Sequence, residues 1–268
     1  LPGTVLDQDW ANGIQETLVN PILASGQTLD PANDAQLTSA IKSLAQATPG
    51  HLINVQVISS SQAYVPTPGT NYVIGDMLGG GGGGGGSPGI NDNTKFAAAT
   101  GGQAGAWLRF RISATLIAGL YITIGSPGLG GAASGANGTP GGDTSFGSFY
   151  RAPGGPGGTA GSAIAAPASG LSLSSVQPSP SGNTLLAALG DGPTAWSAES
   201  GLSGVASRGG ASHFGPGGFM GPGQSGAAYG AAGGPGGGGA GAFVPGNYTS
   251  GLPGAPGGAG YVVLYEYS

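Results

Sequence analysis

Residues 72–87 read YVIGDMLGGGGGGGGS, a strand-like run that passes directly into eight consecutive glycines, 79–86. Glycine has no side chain to bury, and fixing it costs more backbone entropy than any other residue. A run of eight is therefore either a flexible linker or a place where backbone packs against backbone and only glycine fits. The composition around it selects the second reading. The chain has 268 residues with 61 Gly and 21 Pro, and all but six of the glycines follow residue 78. Such density alone reads as low complexity. Yet only 6% of residues are charged, too few to keep a disordered chain solvated, and apolar, β-branched and aromatic clusters recur between the glycine tracts.

The tracts carry a period of three. Glycine falls on every third position at Gly251, Gly254, Gly257 and Gly260, at Gly215, Gly218 and Gly221, and at Gly135, Gly138 and Gly141. Three residues per turn is the repeat of the left-handed polyproline II helix, which has no internal hydrogen bonds and leaves every N–H and C=O free for a neighbour. The runs are too short and broken for a collagen triple helix. They predict a bundle of polyglycine II-like helices from one chain, and the fold class expected is mainly β with such helices packed in a bundle.

Residues 1–50 differ in kind. Asp7 and Asp9 can cap a helix beginning near Trp10, whose stripe is Trp10, Ile14, Leu18 and Ile22. Pro21 lies inside that pattern and is expected to kink or end the helix near Asn20. A second helix is expected from Asp30-Pro31, with Asn33 and Gln36 at capping-box spacing and a stripe of Leu37, Ile41 and Leu44. Such narrow stripes need a partner, either further copies of the chain in a symmetric oligomer or the β-rich body. The start, Leu1-Pro2-Gly3, carries no initiator Met and no basic region, and reads as a fragment or processed start.

Residues 51–268 form the second expected unit. Strands are predicted over 52–59, with Ile53, Val55 and Val57 on one face, and over 72–78 as its return strand after a Pro68-Gly69 turn. Residues 90–100 read as a polar interruption. Residues 107–113 alternate, with Trp107, Arg109 and Arg111 on one face, and 121–124 is their expected hairpin partner across Ala118-Gly119. Short strands follow at 144–149 and, apolar enough to be central, at 261–267. Residues 163–207 are poorer in glycine and read as an insertion between tracts.

Chemistry is sparse. The net charge of −5 and pI of about 4.6 argue against a nucleic-acid partner. There are no cysteines and two histidines, His51 and His213. Gly85-Gly86-Ser87-Pro88-Gly89 matches a G-x-S-x-G pattern, as chance guarantees in so glycine-rich a chain, and Pro88 removes the N–H that a nucleophile elbow needs. Matches to G-x-G-x-x-G within 79–86 mean as little, and no Lys follows to complete a phosphate loop. No carboxylate pair or calcium loop stands out among eleven acidic residues. No enzyme, metal or cofactor is expected. The candidate binding residues are aromatic and basic: Tyr150, Arg151, Trp196, Arg208, His213, Phe214, Phe219, Tyr229 and Tyr248. They form either a small core on the glycine scaffold or an exposed patch for a carbohydrate or a protein loop.

Several stretches together resemble the glycine-rich tips of bacteriophage tail fibres. They are Trp10–Glu16 with Leu29–Leu37, the strand, turn, strand and glycines of 57–86, the run 107–131 with its second strand YITIG at 121–125, the segment 141–147, and the terminal GAGYVVLYEY of 258–267. Pro21 and the 163–207 insertion depart from the family pattern. The resemblance implies a non-enzymatic, virion-attached, homotrimeric fibre end that sits at the distal end of the tail fibre. It would join an upstream fibre or tail protein and bind a bacterial surface receptor, lipopolysaccharide or outer-membrane protein. A related class of fibre adhesins is built on packed polyglycine II helices with loops at the far end. The alternative is a structural glycine-bundle protein that binds ice or acts as a scaffold. An ice binder would present a flat face with few bulky aromatics, and a depolymerising tailspike would show a carboxylate cluster on repeating rungs.

Overall fold

The computed structural model describes residues 7–47, 50–173, 175–219, 223–224 and 230–268. The chain is mainly β with an N-terminal helical segment. Helix α1 (Gln8–Ala24) starts on Asp7, whose carboxylate accepts the Trp10 N–H at 2.8 Å. It does not end near Asn20 but runs on through Pro21, which lacks one N–H but leaves its carbonyl free to accept from Ser25 at 3.1 Å, closing a last turn before Gly26 at φ +79°. Helix α2 (Gln36–Ala47) begins later than Pro31. Asp30 and Asn33 fold residues 31–35 into side-chain-capped turns, accepting from Ala32 and Ala35, and the Gln36 amide reaches back to the Asp30 N–H and the Thr28 carbonyl. The helices pack on each other around Ile22 and Ala40, while Trp10, Ile14, Leu18 and Ile41 stay exposed.

The strands are β1 (Leu52–Ile58), β2 (Gln62–Ala63), β3 (Tyr72–Leu78), β4 (Lys95–Ala98), β5 (Trp107–Ser113), β6 (Tyr121–Thr123), β7 (Thr144–Phe146), β8 (Tyr150–Ala152), β9 (Ala163–Ala165), β10 (Ala168–Gly170), β11 (Thr184–Ala188), β12 (Trp196–Ser200), β13 (Ser203–Val205), β14 (Gly223–Gln224), β15 (Phe243–Val244) and β16 (Tyr261–Tyr267). A third helix, α3 (Ala114–Ile117), follows β5. The largest sheet has the order β1-β16-β3-β5-β11. The C-terminal strand β16 is central, as its apolar run predicts, and it separates β1 from β3, which therefore do not form a hairpin. Strands β5 and β6 do not pair either: α3 turns the chain away, and β6 joins β2 and β7 in a second sheet, β2-β6-β7-β8. The stretch read as a polar interruption contains β4, which pairs with β9 and β15.

The main core lies between the first two sheets, with Ile58, Val73, Met77, Leu108, Phe110, Val262 and Leu264 meeting Ile122, Phe146 and Tyr150. Gly75 sits where Phe110 crosses its strand, and a β-carbon there would stand 2.2 Å from the Phe110 ring. At the edge of this core Glu266 is fully buried and accepts from Tyr64 Oη at 2.6 Å, Gln56 Nε2 at 2.9 Å and the Thr67 N–H at 3.2 Å. Burial, reinforced by this carboxylate, pushes the Tyr64 phenol well above its ordinary pKa.

The eight glycines bond outward in rotation. Gly79, Gly82 and Gly85 donate to the carbonyls of Ala106, Gln103 and Thr100; Gly80, Gly83 and Gly86 to those of Gly142, Thr139 and Ala136; Gly81, Gly84 and Ser87 to those of Gly258, Ala255 and Leu252. In return Gly80, Gly83 and Gly86 accept from Gly155, Gly158 and Gly161, Gly81 and Gly84 from Gly128 and Gly131, and Gly82 and Gly85 from Gly239 and Ala242. All these bonds measure 2.8–3.0 Å. Residues 79–87 thus bond to six segments, the three receiving donors running antiparallel to them and the three supplying donors running parallel.

The six also bond to one another in a closed circuit. Gln103 donates to Pro156, Gly141 to Gly155, Gly142 to Ser126, Gly257 to Gly128, Gly258 to Gly237, and Gly102 to Gly239. Proline follows from this accounting, because it has no N–H to give. In 252–260 two of every three N–H groups donate to neighbours, while positions 253, 256 and 259 are exposed and are occupied by Pro253, Pro256 and Ala259. Segments 79–87, 99–106 and 236–242 use all three directions and contain no proline.

The contact leaves no room for a side chain. A β-carbon on Gly82 would lie 2.0 Å from the Pro156 carbonyl oxygen, and on Gly83 and Gly84 2.0 Å from those of Leu129 and Ala240. At one end of the seven segments the chain enters or leaves β3, β5 and β16. At the other it forms the connections 88–98, 132–135 and 243–251. Gly82→Ala is expected to destabilise the fold by at least about 3 kcal/mol, whereas Gly192→Ala, with nothing within 4 Å of its β-carbon, should stay within about 0.5 kcal/mol. Chemical denaturation checks this, and equal midpoints for the two variants would contradict the close-packed reading.

Candidate functional site

The candidate binding residues divide between core and surface. Tyr150 is buried, stacked on Phe110 at 4.1 Å in the main core. Trp196 is also buried, its ring 5.6 Å from Phe96 in a second core completed by Ala198, Ala206, Ala240 and Phe243. Both side chains therefore take the core alternative and not the exposed patch. The reason is that β12 and β4 lie together at the far end of the glycine segments, which have no side chains with which to cover them. Arg151 is half-buried and ion-paired with Asp143, whose other oxygen accepts the Gly154 N–H at 3.0 Å, so it braces the start of a glycine segment. Tyr229 lies outside the described residues.

Four candidates remain on one flank, along 207–219. The Arg208 guanidinium lies 4.4 Å above the Phe219 ring. His213 is stacked on Trp107 with centroids 4.1 Å apart and planes 16° apart, and Phe214 meets the edges of His213 and Tyr261. Trp107 is itself fixed. Its Nε1 donates to Asp76 Oδ1 at 3.2 Å, and Asp76, almost fully buried, also takes the Arg109 fork at 2.9 and 2.7 Å. The hydrogen bonds to Asp76 raise the Arg109 pKa further, against the opposing effect of desolvation.

Beside this stack lies a cleft of about 220 Å³ lined by Gly105, Trp107, Ala188, Leu189, Gly190, Asp191, Ala211, Ser212 and His213. Main-chain bonds hold its floor: Ala104 donates to the Asp191 carbonyl at 3.0 Å and Asp191 to that of Ala211 at 3.3 Å. Gln177 pins the same wall, accepting from Gly190 and Gln103 and donating to the Ala104 carbonyl. Trp107 and Asp191 are absent from the candidates read from sequence. Trp107 looked like an ordinary alternating strand residue, and Asp191 is remote in sequence from the Trp107 and His213 rings with which it lines the cleft.

Tyr248 belongs to a different place, the far end of the glycine segments. There 91–95 and 247–250 are rich in Asn, Asp, Ser, Thr and Tyr, and most of these residues are exposed. The loop 91–95 is tied internally: Asp92 Oδ1 accepts from the Thr94 N–H at 2.9 Å and Thr94 Oγ1 at 2.7 Å, and Lys95 pairs with Oδ2 at 3.1 Å. The Thr94 bonds hold the Asp92 carboxyl down at about 2. Asn247 sits at φ +61°, a left-handed conformation that Asn adopts more readily than most residues, and Ile90 donates to the Tyr248 carbonyl at 2.7 Å. Composition was the available signal for these loops, but the sequence did not say which of them share an end.

Among the described residues no group of three or more His, Asp or Glu side chains could hold a metal ion, and no helix is long and apolar enough to cross a membrane. Nothing among curated proteins matches the chain. A protein-family profile described as a glycine-rich domain matches residues 58–267, from the last residue of β1 to the end of β16. That span holds all seven hydrogen-bonded glycine segments and leaves out only the N-terminal helices and most of β1, and over it the chain belongs to the glycine-rich domain family.

Proposed function

We propose that this chain is the tip of a bacteriophage tail fibre, a non-enzymatic receptor-binding protein that attaches the virion to a surface glycan or outer-membrane protein of the bacterial host. The seven glycine segments are, in this reading, polyglycine II helices packed as one central helix with six around it. The observation that carries it is the closed hydrogen-bond circuit with its two unlike ends. One end leads to the strands that connect back to residues 8–47; the other carries loops of Asn, Asp, Ser, Thr and Tyr. These are residue types that suit adaptable recognition surfaces. A scaffold cross-linked through its backbone holds such loops still, so little conformational entropy is lost on binding. The bonds within 91–95 act in the same direction.

Residues 1–50 serve, in the same reading, as the attachment and trimerisation segment joining an upstream fibre protein. Trp10, Ile14 and Leu18 support this, since they lie four apart on α1 and are roughly half exposed. Three copies would bury the stripe together. The insertion 163–207 is not a separable loop in this account, because β9, β11 and β12 join three sheets of the body.

Two outcomes test these proposals. Polyglycine II geometry places φ near −75°, a value proline adopts. Ala259→Pro, at an exposed position whose N–H makes no bond among the described residues, should therefore leave stability unchanged or raise it by about 0.4–1 kcal/mol. Ala255→Pro removes the donor to Ala240 and should cost about 3 kcal/mol or more; a large loss at 259 as well would contradict the assignment. For function, the fluorescently labelled trimer should bind saturably to intact cells of a few bacterial strains, and Tyr248→Ala should weaken that binding about tenfold with an unchanged melting temperature. A folded chain that binds no strain of a broad panel, or binding untouched by Tyr248→Ala combined with Asn91→Ala, would overturn it.

A further inference from the structure

The cleft beside Trp107 lies on the flank, near the strand end of the glycine segments, far along them from the Tyr248 loops. We propose that it is a separate carbohydrate subsite that takes a single sugar ring, neutral or aminated. This rests on the receptor-binding reading and names a chemical class of receptor for it.

Three observations fit together. The first is size: about 220 Å³ is below the roughly 300–1,000 Å³ of pockets for drug-sized ligands, enough for one ring and too little for an oligosaccharide chain. The second is the wall. The Trp107 indole and the His213 imidazole stand parallel, the indole fixed by its bond to Asp76. Stacking covers one face of each ring, and an outer face of the pair can pack against the C–H face of a pyranose, burying apolar area without a polar penalty. The third is the polar complement. The Asp191 carboxylate and the His213 ring nitrogens make no hydrogen bond to the protein among the described residues. A carboxylate can accept two vicinal hydroxyls at once, and such charge-assisted bonds are about twice as strong as neutral ones. An imidazole both donates and accepts.

The lining also sets selectivity. Among the described residues Asp191 is the only acidic group lining it, and no Lys or Arg does. Arg109, on the neighbouring strand position, is committed to Asp76. A uronic acid or a sugar phosphate would meet a carboxylate with no cation to offset it, whereas the ammonium of an amino sugar would be attracted. The main-chain bonds that fix the Asp191 backbone and the Gln177 peg make the cleft preformed, so binding requires little ordering of the chain.

The test uses the full chain with methyl glycosides of glucose, galactose, N-acetylglucosamine and glucosamine, and with galacturonate, followed by saturation-transfer NMR and Trp fluorescence. At least one of the neutral or amino sugars should saturate with a Kd on the order of 1–10 mM, and galacturonate should not. Asp191→Ala and His213→Ala should each weaken binding about tenfold, while Ser148→Ala, at an exposed turn elsewhere, should not. No saturation by any of these sugars, or saturation unaltered by both cleft variants, would overturn the proposal. Cell binding by the same protein is measured alongside. If cells are bound but sugars are not, the cleft proposal alone fails; if neither is bound by folded protein, the receptor reading fails with it.

Discussion

The structure depends on the contact between a Cα and the carbonyl oxygen of a neighbouring segment. Wherever 79–86 meets its neighbours, a β-carbon would stand about 2 Å from a backbone oxygen, so even alanine is excluded. This constraint explains why the chain retains a residue whose ordering is entropically the most costly. It brings backbones close enough for every N–H of 79–87 to find a carbonyl at 2.8–3.0 Å. In an ordinary domain apolar side chains fill the space between elements; here the elements are their own filling, and the side-chain cores are confined to the two ends.

The division of labour among the ends follows from that. The sheet end needs side chains, and the strands that enter and leave the glycine segments supply them: Val73, Met77, Leu108, Phe110, Val262 and Leu264 continue straight on from glycine tracts. The far end is capped by the smaller cluster of Phe96, Trp196 and Phe243. Tyr150 and Trp196, which seemed available for a ligand, are taken up by these side-chain cores. What these caps leave at the surface is the polar loops at the far end and the flank around Trp107, His213 and Asp191.

Much of this was legible in the sequence. The glycine run, the period of three and the scarcity of charge pointed to backbone packing, and the terminal strand was readable as central from its apolar run. Even the placement of Pro253 and Pro256 and their absence from 79–87 could be read as a record of which N–H groups are free. Strand pairing was not legible. Nothing local in 72–78 announces that its partner is 261–267, nearly the whole chain away, and proximity in sequence misleadingly favoured the hairpins 52–59 with 72–78 and 107–113 with 121–124. Pro21 did not mark the helix end for a different reason: one missing hydrogen bond is tolerated when the next turn is closed by Ser25. The burial of the candidate residues was not legible. Aromatic character marked His213, Phe214 and Tyr248 as well as the buried Tyr150 and Trp196, and only the packing separates them. Asp191 had no signal at all.

Amide hydrogen exchange is the most direct test of the central claim, because it reads the backbone bonds one by one. The account predicts that the amides of 79–87 exchange only on global unfolding, like those of a central strand, although they belong to neither helix nor sheet. In 252–260 it predicts slow exchange at Ala255, Gly257 and Gly258 and fast exchange at Ala259, repeating every third residue with the exposed positions. Exchange of 79–87 at the rate of a free peptide in the folded protein would contradict it.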